Sequence, residues 1–152
     1  MAENKVQELS GSERKQIIEV LLPALNEISG LPCKINLEVL DEKPPSMCIQ
    51  QLRGAQKLNV NIIGGFTGLF PFAIWYRVSG RDTADRIEGT RVLNDIGSFF
   101  SNTENLPDLG GCRICRKIEM TSIPICNNRH EDGTEDYMAI YSLEYQQKSK
   151  FE

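Results

Sequence analysis

The chain has 152 residues, 40% of them hydrophobic and 25% charged, which suits one domain able to build its own core. Its net charge of -4 and pI of about 5.1 give it no overall basic footprint for nucleic acid. No apolar run is long enough to cross a bilayer, and the polar opening "MAENKVQELSGSERK" lacks the apolar core of a secretory signal. The expectation is a cytosolic setting, in which the five cysteines remain free thiols.

The segment "SGSERKQIIEVLLPALNEISG" opens with a capping box, Ser10 to Glu13. Ile17, Ile18, Leu21, Leu22, Leu25 and Ile28 follow at helical spacing, which predicts a helix over residues 12–29 that stops at Gly30. Pro23 should kink or divide it. In "CKINLEVLD", Ile35, Leu37 and Val39 alternate with Asn36 and Glu38, the pattern of a half-buried strand. "DEKPPS" breaks that pattern, and "MCIQQL" is a short strand. "KLNVNIIGG" places Leu58, Val60 and Ile62 on one strand face, and Gly64, Gly65 and Gly68 then form a flexible turn.

In "LFPFAIWYRVSG", Phe70, Phe72, Ile74, Tyr76 and Val78 share one face, and Trp75 and Arg77 take the other. Pro71 should confine this strand to an edge or its own first position. "RDTADRIEGTRVLNDIGSFF" reads as a second helix, capped by Asp82 or Thr83 with Asp85 in its first turn. Its apolar stripe holds Ile87, Val92, Leu93, Ile96, Phe99 and Phe100. "SNTENLPDLGG" is a loop. "RICRKIEMTS" and "DYMAIYSLEY" are the last two strands, joined by "NNRHEDGTE" with its Asp-Gly turn pair. The polar ends, residues 1–10 and 146–152, should be frayed. The order predicts an α+β fold: a mixed, largely antiparallel sheet of about five strands with two main helices packed on it, within a single domain over residues 1–152.

Three of the five cysteines and the sole histidine lie together. Cys112, Cys115, Cys126 and His130 form C-x2-C-x10-C-x3-H, close to the spacing of zinc modules. Such a module would be a small regulatory or nucleic-acid-binding unit. Against it, no turn residue lies between or just after Cys112 and Cys115. Cys112, Ile114, Ile118 and Met120 alternate with Arg113, Lys117, Glu119 and Thr121, though Arg116 falls on the apolar side. In a strand, residues three apart face opposite ways about 10 Å apart and cannot share an ion. The strand reading is preferred, with no metal and no cofactor expected. A redox C-x-x-C would need a helix N-terminus, and none begins there.

Other chemistry is thinly supported. His130 could act as a general base with a carboxylate partner, yet it lies in a polar loop with Arg129, Glu131 and Asp132. "NIIGGFTG" matches no phosphate-binding motif. Glu131, Asp132, Glu135 and Asp136 lack the ligand order of a calcium loop and read as a solvated acidic loop. The aromatic strands could stack bases only with a basic face beside them. No enzyme is expected. The unabsorbed features are the polar loop and Trp75, a large apolar side chain on an outer strand face, and such features mark contact surfaces.

"FPFAIWYRVSGRDTADRIEGTRVLNDIGSFF", "KIEMTSIPICNNRHEDGTEDYMAIYSLEY" and the opening amphipathic helix together resemble the minor capsid or tail-terminator proteins of long-tailed phages, above all those of prophages in Gram-positive bacteria. The resemblance spans most of residues 10–145. Its most specific part is a loop form carried here by Thr121, Ser122, Pro124, Arg129, Glu131, Asp132, Gly133, Glu135, Asp136 and Tyr137. The cysteines at 112, 115 and 126, and His130, lie outside that pattern.

The resemblance implies a virion protein assembled in the host cytoplasm, without catalysis. Its partners would be copies of itself in a ring, typically a hexamer, the tail tube protein and the head-side connector. It would end tail growth and join tail to head, and no membrane is implied. A neighbouring head–tail connector or minor tail role is also compatible. Ring closure uses heterologous contacts, and Trp75, Asn127, Asn128, Arg129, His130, Glu131 and Asp132 are the expected contact residues. An acidic lumen would let DNA pass without specific binding.

Overall fold

A computed structural model describes residues 7–149 and has an α+β fold. β1 (Gln7–Glu8) leads into α1 (Gly11–Asn26), followed by β2 (Ile35–Leu37), β3 (Ser46–Gln51), β4 (Gln56–Leu58) and β5 (Phe66–Val78). α2 (Thr83–Ser101) and a 3₁₀ turn at Thr103–Asn105 precede the hairpin of β6 (Arg113–Arg129) and β7 (Glu135–Gln147). The described strands form one seven-stranded sheet, more than the five or so expected, with every pairing antiparallel except β2 with β3. β5 is its centre. β7 flanks β5 over its whole length and carries β6 outside it. The other flank is shared: β4 pairs with the first part of β5 and β3 with the second.

This shared flank explains Pro71, which stands in the middle of the central strand instead of at a start or edge. The Pro71 carbonyl accepts from the Leu52 N–H at 3.3 Å, so its ring nitrogen points to the same side. There β3 has ended and β4 has not begun, so the missing donor interrupts no ladder.

Both helices cover the face that holds Phe70, Phe72, Ile74, Tyr76 and Val78. Ile17, Leu21 and Leu25 of α1, and Val92, Leu93, Ile96 and Phe100 of α2, join them in one core with Tyr137, Ala139, Tyr141, Leu143 and Tyr145 of β7. Phe72 and Tyr141 are register partners and stack at 5.4 Å. The Tyr141 hydroxyl donates to the Leu93 carbonyl at 2.6 Å, tying α2 to the sheet. Ile87, expected in the stripe of α2, is instead 60% exposed, because Gly89 and Val92 set the buried face one step round the helix.

Both helix starts follow from their caps. Ser10 and Glu13 close a capping box around α1, and the Asp82 side chain accepts from Asp85 N–H at the head of α2. α1 runs through Pro23 without a break, since Pro23 and Glu19 both face solvent and the carbonyl freed four residues back meets water. The helix ends at Asn26, before Gly30, because the Asn26 side chain turns to bond both backbone groups of Ile35.

Three expected strands have different extents. β2 stops at Leu37 because Glu38 takes a left-handed conformation (φ 64°), so Leu37 and Val39 are exposed instead of sharing a buried face. β4 stops at Leu58, before left-handed Asn59, and Val60 and Ile62 also lie exposed. β6 is longer than expected: it absorbs Asn127, Asn128 and Arg129, so the polar connection shrinks to residues 130–134. β6 spends seventeen residues against thirteen of β7, with the difference taken up in four register shifts. The first lies at Arg116, between Cys115 and Lys117. It reverses the parity of everything before it, so Cys115 faces the core while Ile114, expected inside, is exposed.

The ends are more ordered than expected where they are described. Leu9 is buried, its N–H bonds Ala55 C=O, and Gln7 and Glu8 pair with β4. Gln146 and Gln147 continue β7, and Ser149 is buried. The rest of the fraying expectation, at residues 1–6 and 150–152, lies outside the described residues.

Candidate functional site

Neither helix packs on the second face of the sheet. Alternation along β5 puts Leu69, Pro71, Ala73, Trp75 and Arg77 there, all of them partly or fully shielded by their neighbours. Register then decides what surrounds Trp75: Cys48 of β3 lies opposite on one side and Met138 of β7 on the other. The Trp75 indole N–H donates to Gln50 Oε1 at 2.8 Å, which fixes the ring. The backbone turn at Glu38 carries Val39 and Leu40 over this region. The result is an open cavity of about 420 Å³, walled by Val39, Leu40, Cys48, Trp75, Asn128 and His130 and floored by an ion pair.

That ion pair joins Arg77 to Asp136, register partners on β5 and β7. Arg77 Nε and Nη2 donate to the two carboxylate oxygens at 2.7 and 3.1 Å. The third nitrogen donates to the Asp41 carbonyl at 2.8 Å. His130 Nε2 meets Asp136 Oδ2 at 2.8 Å. Burial pushes the Asp136 carboxyl up, but the bonds and charge of Arg77 and His130 outweigh it and hold the group below the usual carboxylate range.

The neighbouring residue, Glu135, points to the opposite face. Arg86 of α2 and Arg129 of β6 donate to its two oxygens at 2.9 and 2.7 Å. Those bonds overcome burial and also hold it below the ordinary range. The turn between the strands is tight. His130 N–H bonds Thr134 C=O, Gly133 N–H bonds His130 C=O, and Asp132 Oδ1 accepts from both the backbone and the hydroxyl of Thr134. Gly133 adopts φ 93° to complete it.

The expected contact residues therefore separate. Trp75, Asn128 and His130 meet in the cavity. Asn127 and Arg129 border a smaller hollow of about 270 Å³. Glu131 and Asp132 stand exposed on the turn. The expected solvated acidic loop is corrected: Glu135 and Asp136 are each only 2% exposed, and their carboxylates diverge to opposite faces. Sequence parity placed Arg77 beside Trp75, but nothing local identified Asp136 as its partner or Val39 and Leu40 as a wall.

The four residues of the C-x2-C-x10-C-x3-H set do not converge. Cys112 precedes β6 in a left-handed conformation and is exposed, and Cys115 faces Tyr145 of β7. Cys126 faces Tyr137, eight residues along the same strand, which is about 27 Å away. His130 lies beyond Cys126, engaged with Asp136. Among the described residues no group of three or more His, Cys, Asp or Glu is placed to hold a metal ion.

His130, Asp136 and Cys48 do share the cavity, which invites a nucleophile reading. The Cys48 thiol is pushed up to about 11 by its burial and by the carboxylates of Glu38 and Asp136, so it stays protonated at neutral pH. The arrangement provides a shaped hollow with a fixed aromatic wall, a paired Arg77–Asp136 floor and the exposed carboxylate of Glu38 in its lining. Against protein-family models and curated proteins, the sequence finds no match.

Proposed function

We propose that this chain is a structural protein of a long-tailed phage particle, forming a ring at the head-proximal end of the tail tube, where it stops tube growth and joins tail to head. The observation that carries the reading is the hairpin turn. Five of the ten residues that carry the resemblance (Arg129, Asp132, Gly133, Glu135, Asp136) have an architectural task there, tying β6, β7, β5 and α2 together at one corner. That corner borders a sheet face which neither helix covers and which holds Trp75 and a cavity floored by the Arg77–Asp136 ion pair. Rigid, pre-shaped surfaces suit protein contact. Trp75, Asn128 and His130 are the proposed contact residues, and the work is done by shape, without catalysis, metal or cofactor.

The test mixes purified protein with tail tubes and DNA-filled heads from particles that lack it, followed by electron microscopy. The expected result is a ring of density at one tube end and restored joining. Tubes that stay bare and unjoined, or protein that purifies with stoichiometric zinc, count against the role.

A further inference from the structure

Glu38 carries the one charge in the Trp75 cavity that has no opposite partner among the described residues. Its side chain is exposed, and Oε1 accepts from the Gln51 N–H at 3.1 Å. The backbone beneath is fixed as well: the Glu38 N–H donates to the Ile49 carbonyl at 2.8 Å, in a left-handed conformation of φ 64°. Glycine or asparagine holds that conformation with less strain. Here a glutamate is held in it by two bonds to β3, with its second carboxylate oxygen free of any protein donor among the described residues. Strained residues of this kind concentrate at binding sites.

The other charges of the cavity are committed. Arg77 uses all three nitrogens on Asp136 and the Asp41 carbonyl, and His130 Nε2 meets Asp136. An anion would therefore find no free cation there and would be repelled by Glu38. An apolar ligand would bury that carboxylate unpaired. A metal ion lacks a ligand set, since among the described residues no three His, Cys, Asp or Glu are placed to hold one. An organic cation fits: Glu38 pairs it, and the Trp75 indole, fixed by its bond to Gln50, gives it a flat wall to lie on. A guanidinium suits this better than an ammonium, because it is planar, weakly hydrated and rich in donors. The Asn128 amide is a further acceptor in the lining. Val39, 63% exposed, and Leu40 form an apolar rim that suits the methylene stem of such a side chain and the polypeptide carrying it. A free small cation would leave that rim in water.

We infer that the Trp75 cavity receives an arginine side chain presented by a protein partner. Glu38 pairs with the guanidinium, Trp75 stacks on it, and Val39 and Leu40 pack against its carrier. This inference rests on the protein-contact reading of the same face proposed above and names the chemistry of what that face meets.

Nuclear magnetic resonance of the full chain tests the site. Trp75 is the only tryptophan, so its indole N–H gives a single resonance, and the Gln51 amide reports on Glu38. Titration with N-acetylarginine methylamide at fixed ionic strength should shift both along one saturable curve in the millimolar range. The citrulline counterpart, which keeps the shape and lacks the charge, should bind about tenfold more weakly or worse. The lysine counterpart should bind about threefold more weakly. Glu38→Gln keeps an oxygen for the Gln51 N–H, so it should fold, yet it should weaken arginine binding about fivefold. A pentapeptide with leucines on both sides of its arginine should bind about fivefold tighter than the single residue, and Val39→Ser should remove that gain. No saturable shift, a citrulline response equal to that of arginine, or Glu38→Gln binding as tightly as the wild type overturns the site. Lysine binding as tightly as arginine overturns the guanidinium assignment, and a pentapeptide no tighter than the single residue overturns the protein source. Arginine binding as described, by a protein that never engages tail tubes, leaves the site standing and removes the tail role.

Discussion

Arg77 and Asp136 face each other across β5 and β7, fifty-nine residues apart in sequence, and the guanidinium grips both carboxylate oxygens. The Asp136 side chain is 3% exposed, so its charge depends on that grip. Replacing Arg77 by Leu leaves a buried carboxylate with only His130 and should cost about 3 kcal/mol. Arg77→Leu combined with Asp136→Leu should recover much of the loss, because no uncompensated charge remains. Urea unfolding of the two single variants and the double variant checks this. A loss below about 1 kcal/mol for Arg77→Leu would contradict it.

Stability should fall on acidification in a defined window. Glu135 and Asp136 have folded values held below the ordinary ones, about 4.3 and 3.9 in an unfolded chain. Their contribution is complete above those values and is lost as pH drops through the lower folded ones. Chemical unfolding between about pH 5 and pH 2 should show the decline. Glu135→Gln should flatten that limb while lowering stability at pH 7. An unchanged acid slope in this variant would remove Glu135 from the account.

Gly68 sits opposite Tyr145, and the ring folds over it. A Cβ at residue 68 would lie 2.2 Å from two ring carbons, so Gly68→Ala must displace a fully buried tyrosine and should cost about 2 kcal/mol or more. Gly89 meets Tyr137 in the same way, with its nearest ring carbon at 2.7 Å. There the gain in helix propensity, about 1 kcal/mol, offsets part of the clash. Thermal unfolding should therefore rank Gly68→Ala below Gly89→Ala, and the reverse order would reject the packing argument.

The cysteines should differ in reactivity. Cys112 is exposed, whereas Cys48 and Cys115 have thiols pushed up to about 11 by burial. A maleimide reagent at pH 7 should modify Cys112 first, and Cys48 and Cys115 only on unfolding. Peptide mapping by mass spectrometry reads the order.

The parts of the fold that could be read from the sequence are those governed by local periodicity. Parity along β5 assigns Phe72 and Trp75 to opposite faces with no knowledge of neighbours, and Asp82 announces α2. The Trp75 half of the site was legible for the same reason. Its other half was not. Glu135 and Asp136 sit in a stretch as polar as any loop, and beside their near partners Arg129 and His130 their burial relies on arginines 49 and 59 residues away, on α2 and β5. A single inserted residue at Arg116 likewise defeats any parity argument for what precedes it.

The four inserted residues of β6 also bear on how this protein can meet others. A long outermost strand ordinarily offers a row of open amide and carbonyl groups on which a foreign strand can crystallise, the route to fibres and runaway stacking. Each bulge throws that row out of step, so no straight segment can zip along it. Whatever meets the molecule along this border must therefore grip side chains and not backbone.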